Sequence, residues 1–182
     1  MRVIGGEFRS RRLKTIPGLD TRPTLDRLRE TLFNILAPQL EGKVFLDAYA
    51  GTGAVGIEAL SRGALRAKFV ESSRAAAGVI RENLASLGLQ SRAEVYTGKV
   101  LQHLRAQGGS SYDIVFLDPP YDREREYGEA MFILGAMATP LVIVQHSTRL
   151  KLEEQYGNLG RYRVLKQGDN ALSFYRQLVD EV

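Results

Sequence analysis

Cysteine is absent from this sequence of 182 residues, and histidine occurs only twice. Without cysteine the chain can form neither a disulfide nor a thiolate metal site. His103 and His146 alone are too few to build a zinc centre, so we expect no metal. A chain without cysteine is typical of a reducing compartment, which favours a cytoplasmic protein.

Long apolar runs are missing as well. No segment approaches the roughly 20 apolar residues that cross a bilayer, and the polar, arginine-bearing start lacks the apolar core of a signal peptide. A chain of this length is about the size of one domain and buries an ample core without disulfides or metal. We therefore expect one folded unit with a small appendage at most.

Positive charge is concentrated at the start of the chain. The first 30 residues hold eight Lys or Arg and four Asp or Glu, which accounts for the whole net charge of +4. Such an excess attracts polyanions, nucleic acid above all, although a solvated surface gives the same composition. The candidate phosphate contacts are Arg2, Arg9, Arg11, Arg12 and Lys14.

Two small features are predicted ahead of residue 43. Residues 2–16 have the pattern of two short extended pieces around Gly5 and Gly6, which form a hairpin or an arm. Thr24 is placed to cap a helix whose apolar positions follow helical spacing as far as Pro38. We therefore expect a basic N-terminal arm over 1–20 and a larger domain over 21–182.

From residue 43 onward, strands and helices alternate. The strands are predicted at "KVFLDAYA", "AKFVE", "AEVYTG", "YDIVFLD" and "LVIVQ", with helical stretches between them that include a short helix near 100–106 and another over 124–136. The end, "RYRVLKQGDNALSFYRQL", has the pattern of two strands joined by a Gly-Asp-Asn turn. This order predicts an α/β fold, a doubly wound, mostly parallel sheet of seven strands with an antiparallel C-terminal hairpin.

The first of these strands leads into "DAYAGTGAVG", where Gly51, Gly53 and Gly56 form a G-x-G-x-x-G pattern. Glycines at these positions permit a tight strand-to-helix turn and a close approach of the backbone to a ligand. Glu71 ends the second strand, where a carboxylate can accept hydrogen bonds from the hydroxyls of a ribose. The pattern predicts a cofactor that contains a nucleoside.

Two cofactors satisfy this pattern. A dinucleotide would place its pyrophosphate at the start of the helix, whereas S-adenosylmethionine would bring an ammonium and a sulfonium group. Asp47, at the strand end before the glycines, favours the second, because a carboxylate repels pyrophosphate and attracts cations. A plain turn with a solvated Glu71 is the remaining interpretation.

The stretch "FLDPPYD", residues 116–122, ends a buried strand with an acid, two prolines and an aromatic ring. Ligands of open α/β sheets bind beyond the carboxyl ends of the strands, so this stretch should face the glycine loop. The Asp118 side chain and the Pro119 carbonyl can hold the two N–H groups of a base amine, and Tyr121 can stack on the base. An ordinary strand exit with a packed tyrosine is the alternative.

Taken in order, "MRVIGGEFRSRRL", "TRPTLDRLRETLFNIL", "FLDAYAGTGAVGIEALSRGA", "FVE" and "FLDPPY" resemble the bacterial RsmD family over nearly the whole chain. The arginine-rich opening is the most specific part, since many amino-methyltransferases share the glycine loop and "DPPY". The resemblance implies a Rossmann-like class I methyltransferase that uses S-adenosylmethionine to methylate a guanine N2 amine in 16S rRNA. It also implies a cytoplasmic enzyme that acts on assembling small ribosomal subunits, and we expect a monomer.

The same resemblance implies roles for individual residues. The implied cofactor contacts are Asp47, Gly51 and Gly53 around the methionine part and Glu71 on the ribose. The residues implied to hold the guanine are Asp118, Pro119 and Tyr121, with Arg22 and Thr24 at the mouth of the pocket.

Two positions depart from the family pattern. Lys99 follows "YTG", where the family usually has an acid that meets the adenine amine, and a lysine cannot accept that hydrogen bond. Either Val100 and Leu101 hold the adenine through backbone and apolar contacts, or cofactor affinity is reduced. Gln145 and His146 follow the fifth predicted strand, where family members commonly carry an acid.

Three hypotheses therefore stand beside one another. The first is the guanine-N2 methyltransferase, and the second keeps the chemistry but acts on DNA adenine N6, another RNA or a protein amine. A chain of 182 residues leaves no obvious target-recognition domain, which speaks against DNA. The third is a nucleotide-binding oxidoreductase or a non-catalytic RNA-binding relative.

Overall fold

Five parallel strands form the first part of the sheet in the computed structural model, which describes residues 1–18, 23–107, 112–120 and 122–178. Their near-continuous apolar runs suit strands that are buried on both faces, and all four residues of the fourth strand are buried. The strands are β1 Val44–Ala48, β2 Arg66–Glu71, β3 Ala93–Thr97, β4 Ile114–Leu117 and β5 Leu141–Ser147.

Three antiparallel strands extend the sheet: β6 Gln155–Tyr156, β7 Leu159–Gln167 and β8 Asn170–Gln177. The strand order is β3-β2-β1-β4-β5-β8-β7-β6. The predicted doubly wound sheet with an antiparallel C-terminal hairpin is confirmed. The described residues form eight strands rather than seven, because the two-residue β6 is too short to give a periodic signal.

Helices precede and connect the parallel strands. They are α1 Pro23–Leu40, α2 Ala54–Ser61, α3 Arg74–Ser86, α4 Val100–Ala106 and α5 Glu124–Ala136, and a 3-10 turn covers Gln90–Arg92. The Ser73 hydroxyl caps α3 by accepting a hydrogen bond from the Ala76 amide at 3.3 Å. The sequence pattern predicted the bounds of α4 and α5 as they are.

The two faces of the sheet carry separate hydrophobic cores. On one face Phe45, Phe69 and Phe116 pack with α1, α2 and α3. On the other face Val115 and Leu117 pack with α4 and α5. Successive strand residues enter opposite cores, so the sheet is fixed in position from both sides.

The first helix departs from its predicted bounds at both ends. It begins at Pro23, so Thr24 lies within the helix and the prediction that Thr24 is its cap is wrong. Proline suits a first helical position, because its φ angle is already helical and its missing N–H would have no partner there. The helix also continues beyond Pro38 to Leu40, whose side chain is fully buried, so packing outweighs the hydrogen bond lost at the proline.

The N-terminal segment forms a short hairpin that lies against the helices. Arg2 and Arg12 form an antiparallel bridge, and Val3 is buried in the core. The fully buried Glu58 of α2 accepts hydrogen bonds from the amides of Ile4 at 2.9 Å and Gly5 at 2.8 Å. The division of the chain near residue 20 stays a prediction.

Candidate active site

An open cleft of about 1710 Å³ lies beyond the carboxyl ends of the parallel strands. β1 pairs with β2 on one side and with β4 on the other, so the connections leave in opposite directions and create a crevice. Ala48 stands opposite Leu117 in the register, and the segments that follow these two residues emerge side by side. Gly51 and Asp118, distant in the sequence, thereby line one cleft.

The glycine loop forms one wall of this cleft. Gly51 has a φ angle of 58° and Gly53 one of 85°, values that side chains rarely allow. A Cβ on Gly51 would meet no atom within 4 Å, so this residue leaves open space for a ligand. Gly53 lies behind the wall at the start of α2. Gly56 serves packing, because a Cβ at this position would overlap the ring of Phe69.

Asp47 lies beneath the glycine loop and is only 1% exposed. Its Oδ2 accepts a hydrogen bond from the Gly56 amide at 2.8 Å and so caps α2, which has no side-chain cap at Gly53. Burial raises the pKa of Asp47 well above its usual range; the hydrogen bond from Gly56 opposes this, and the charges of Asp118 and Glu71 add to it. A bound cation would relieve this repulsion.

Glu71 connects the glycine loop to the start of α3. Its Oε2 accepts a hydrogen bond from the Gly51 amide and its Oε1 accepts one from the Ser73 amide, each at 2.8 Å. A carboxylate has about four acceptor positions. Two therefore remain for the hydroxyls of a ribose, and Glu71 is partly exposed on the cleft wall.

Asp118 and Pro119 form the facing wall. Part of the Asp118 side chain is open to the cleft, yet protein surrounds its charge, and this burial raises the pKa of Asp118 to about 7. Gln145 on β5 directs its Nε2 toward Asp118 Oδ2 at 3.4 Å. The Pro119 carbonyl accepts a hydrogen bond from the hydroxyl of Tyr127 on α5 at 3.1 Å. Both acceptors keep unused acceptor capacity.

The turn before α4 forms a third wall of the cleft. Lys99 is exposed there and its side chain makes no capping hydrogen bond. Val100 and Leu101 lie next to it and line the same wall. The site thus offers apolar contacts where the family pattern would offer a carboxylate, and the part that Val100 plays toward the cofactor stays a prediction.

Not every predicted site residue can be placed on the cleft. Tyr121 and Arg22 fall outside the described residues, as does the side chain of Thr24. The remaining predicted RNA contacts are exposed but are not on the cleft wall. They are Arg2, Arg9, Arg11, Arg12 and Lys14, and we call the four arginines the arginine surface.

The arginine surface lies along the side of the molecule formed by α2 and α3. Arg11 donates from Nη2 to the Ser86 carbonyl at 3.1 Å, at the end of α3 away from the cleft. The Phe8 amide donates to Ser61 Oγ at 2.9 Å, at the corresponding end of α2. The arginine surface and the cleft are therefore separate parts of the same molecule.

The contacts that Gln145 and Tyr127 make with the facing wall were not predicted from the sequence. The fifth strand was predicted to end at Gln145, but β5 continues to Ser147, so Gln145 and His146 both lie inside it. His146 turns away from the cleft, with its Nε2 2.8 Å from Ser173 Oγ, whereas Gln145 faces Asp118. Tyr127 has the spacing of a core residue on a helix, and no sequence signal shows where its hydroxyl points.

The cleft suits a cationic cofactor better than a pyrophosphate. Three carboxylates, those of Asp47, Glu71 and Asp118, lie close enough for two of them to raise the pKa of the third. Among the described residues no group of three His, Asp or Glu side chains is arranged to hold a metal ion. No helix in the described ranges is long and apolar enough to cross a membrane.

Comparisons with known proteins agree with this geometry. The family model described as "Conserved hypothetical protein 95" matches residues 1–176. YlbH of Bacillus subtilis (strain 168) is 32% identical over 183 residues, which cover 97% of this chain and 99% of that protein. Ribosomal RNA small subunit methyltransferase D of Escherichia coli (strain K12) is 45% identical over 123 residues, which cover 68% of this chain and 61% of that protein. The solved structure of yhhF from Escherichia coli has a TM-score of 0.87 at 35% identity and covers 97% of both chains.

The strand order and the position of the cleft are those of the Rossmann-like methyltransferases that use S-adenosylmethionine, and the protein is of this class. The family predicted from the motifs is also confirmed. Because the family model matches nearly the whole chain and the Escherichia coli methyltransferase D is 45% identical over 68% of it, the chain belongs to the RsmD family.

Proposed function

We propose that this protein transfers a methyl group from S-adenosylmethionine to the exocyclic N2 amine of a guanine in 16S rRNA. We include in the proposal that it works as a monomer, in the cytoplasm, on assembling small ribosomal subunits. The observation that carries the proposal is the placement of Asp118 and Pro119 on the same cleft as Gly51 and Glu71. The similarity to the Escherichia coli relative, which is named a small-subunit rRNA methyltransferase, supports the RNA substrate.

The cofactor half of the cleft supplies shape and charge. When bound, S-adenosylmethionine supplies a methyl group on a positively charged sulfur. Gly51 leaves room for the ligand, and Glu71 retains two acceptor positions suited to its ribose hydroxyls. Asp47 adds a carboxylate whose charged form a bound cation would stabilise.

The facing half orients the amine. A base amine is a poor nucleophile, because its lone pair is delocalised into the ring. When Asp118 and the Pro119 carbonyl accept its two N–H groups, the nitrogen becomes more pyramidal and its lone pair points across the cleft. With the cofactor bound, the nitrogen would bond to the methyl carbon as the carbon–sulfur bond breaks, and Asp118 or water would take up the released N–H proton. Alignment supplies most of the acceleration.

The substrate is tested by incubating the protein with methyl-labelled cofactor and three acceptors in parallel. They are small-subunit particles from cells that lack the family methyltransferase, 16S rRNA freed of protein, and duplex DNA. Mass spectrometry of the digested nucleosides then identifies the methylated atom, and Asp118→Ala serves as the inactive control.

We expect N2-methylguanine in the particles and no methylation of DNA. N6-methyladenine in DNA, or label in protein alone, would overturn the substrate. Methylation of free rRNA but not of particles would remove the assembling subunit from the proposal. Tight binding of NADH without binding of S-adenosylhomocysteine would favour an oxidoreductase instead, and sedimentation of the active protein as a dimer would overturn the monomer.

A further inference from the structure

Each of the two acceptors on the facing wall is held by one protein donor from a neighbouring element. Gln145 on β5 approaches Asp118, and Tyr127 on α5 binds the Pro119 carbonyl. The two donors come from elements that follow the "DPP" segment in the chain, and neither belongs to the motif itself. The acceptors thus depend on residues outside the recognised pattern.

Tyr127 is well placed to fix the direction of the carbonyl. Its side chain is 1% exposed, so its ring is locked by core packing between β4 and α5. Its hydroxyl donates to the Pro119 oxygen at 3.1 Å. A carbonyl oxygen has two lone pairs. One is therefore taken by Tyr127, and the other is left for a donor from the cleft.

Gln145 orients the Asp118 carboxylate in the same way. Its Nε2 lies 3.4 Å from Asp118 Oδ2, a long hydrogen bond that favours one rotamer of Asp118, and Oδ1 has no hydrogen-bond partner among the described residues. A neutral amide at this position can donate to a carboxylate. An acid here could not do so, and would add a fourth carboxylate beside Asp47, Glu71 and Asp118.

We propose that Tyr127 and Gln145 are positioning residues for methyl transfer, which aim the Pro119 carbonyl and the Asp118 carboxylate at the two N–H groups of the target amine. This inference rests on the proposed function. Neither residue touches the reacting atoms. Their contribution is to keep both acceptors in the geometry that points the nitrogen lone pair at the methyl group, so their loss lowers the rate of transfer rather than the affinity for either ligand.

The experiment compares two variants with two matched controls. Tyr127→Phe removes only the hydroxyl, and Gln145→Met removes the amide at nearly constant volume. The controls remove equivalent groups far from the cleft. Tyr175→Phe deletes a buried hydroxyl that donates to the Glu153 carbonyl at 2.7 Å, and Gln177→Met deletes an amide that donates to the Met137 carbonyl at 2.9 Å.

For all four variants we would measure kcat and KM with the RNA substrate, Kd for S-adenosylhomocysteine, and the thermal midpoint. Tyr127→Phe and Gln145→Met should each lower kcat about tenfold, with KM and Kd within about a factor of two of wild type. The two controls should keep the wild-type kcat at a similar thermal midpoint.

Three outcomes overturn the inference, and they are distinguishable. If wild type methylates rRNA and Asp118→Ala does not, but Tyr127→Phe and Gln145→Met keep the kcat of the controls, the positioning role is wrong and the proposed function stands. If wild type itself methylates no RNA, the proposed function fails and the inference falls with it. A change confined to Kd would place the two residues in cofactor binding and would also refute the inference.

Discussion

The two halves of the cleft use their polar groups in opposite ways. On the glycine-loop side, Asp47 and Glu71 together accept three backbone hydrogen bonds, each of 2.8 Å. On the facing side, Asp118 meets one side-chain donor at 3.4 Å and the Pro119 carbonyl meets another at 3.1 Å. The first half uses its acids to build the loop, and the second leaves its acceptors partly free.

This difference has a physical reason. A loop that must hold left-handed residues such as Gly51 needs strong local hydrogen bonds, and backbone amides paired with carboxylates supply them. A group that binds a ligand transiently must keep a lone pair free to accept a hydrogen bond from that ligand. A polar group that is already saturated in the protein gains little from binding.

The largest expected effect comes from removing the free acceptor. Asp118→Ala should lower turnover by about a thousandfold, because one of the two contacts proposed to orient the amine is lost. Calorimetric titration should give a Kd for S-adenosylhomocysteine within about a factor of two of wild type, since the glycine-loop side is intact. Loss of cofactor affinity would instead assign Asp118 to the cofactor half.

A smaller effect is expected from Glu71→Gln, which tests the saturated half. Glutamine has one acceptor oxygen, so its NH₂ group would face one of the two backbone donors, Gly51 or Ser73. Cofactor Kd should rise by about ten- to a hundredfold, with kcat at saturating cofactor nearly unchanged. Glu82→Gln, at an exposed ion pair with Lys14, is the control and should change neither quantity.

The pH dependence distinguishes the halves further. Burial raises the pKa of Asp118 to about 7. Only the ionised carboxylate can accept hydrogen bonds at both oxygens, one from Gln145 and one from the proposed target amine. We therefore expect kcat/KM to rise about tenfold per pH unit below 7 and to level off above it. A profile that is flat between pH 6 and 8 would contradict this role.

The same raised pKa affects stability, with a sign that can be checked. A raised pKa means that the folded state binds the Asp118 proton more tightly than the unfolded state does. This tighter binding stabilises the fold fully below the ordinary pKa of about 4, and the stabilisation is lost as the pH rises through about 7. Relative to wild type, Asp118→Asn should therefore gain unfolding free energy between pH 4 and pH 8. Urea unfolding at both pH values measures this difference, and an equal difference at both would refute the pKa assignment.

The smallest effect is expected outside the cleft, on the arginine surface. Replacing Arg9, Arg11 and Arg12 together by Ala should weaken RNA binding and reduce its salt dependence by up to roughly three phosphate contacts. The exposed residues Arg163, Lys166 and Arg176 provide a control triple of equal charge on the C-terminal hairpin. If the salt dependence of RNA binding is unchanged in the variant that lacks Arg9, Arg11 and Arg12, the arginine surface does not touch RNA.

Some parts of the structure were predictable from the sequence because they depend on local order. The bounds of α5 follow from apolar spacing, and the closeness of Gly51 to Asp118 follows from the rule that parallel strands end at one edge of the sheet. The end of α1 at Leu40 was not predictable, because the burial of that side chain in the core outweighs the local signal of Pro38.

The motifs by themselves determined the strand–helix order, the family and the two loops that meet, since these depend on residue types at fixed spacings. Tertiary structure alone decided how each polar group is employed: that Asp47 caps α2, that Glu71 holds two amides, and that Tyr127 and Gln145 reach the facing wall. The reason is that a hydrogen bond depends on where atoms lie in space to within tenths of an ångström, and that position is set by the packing of the whole sheet rather than by neighbours in the chain.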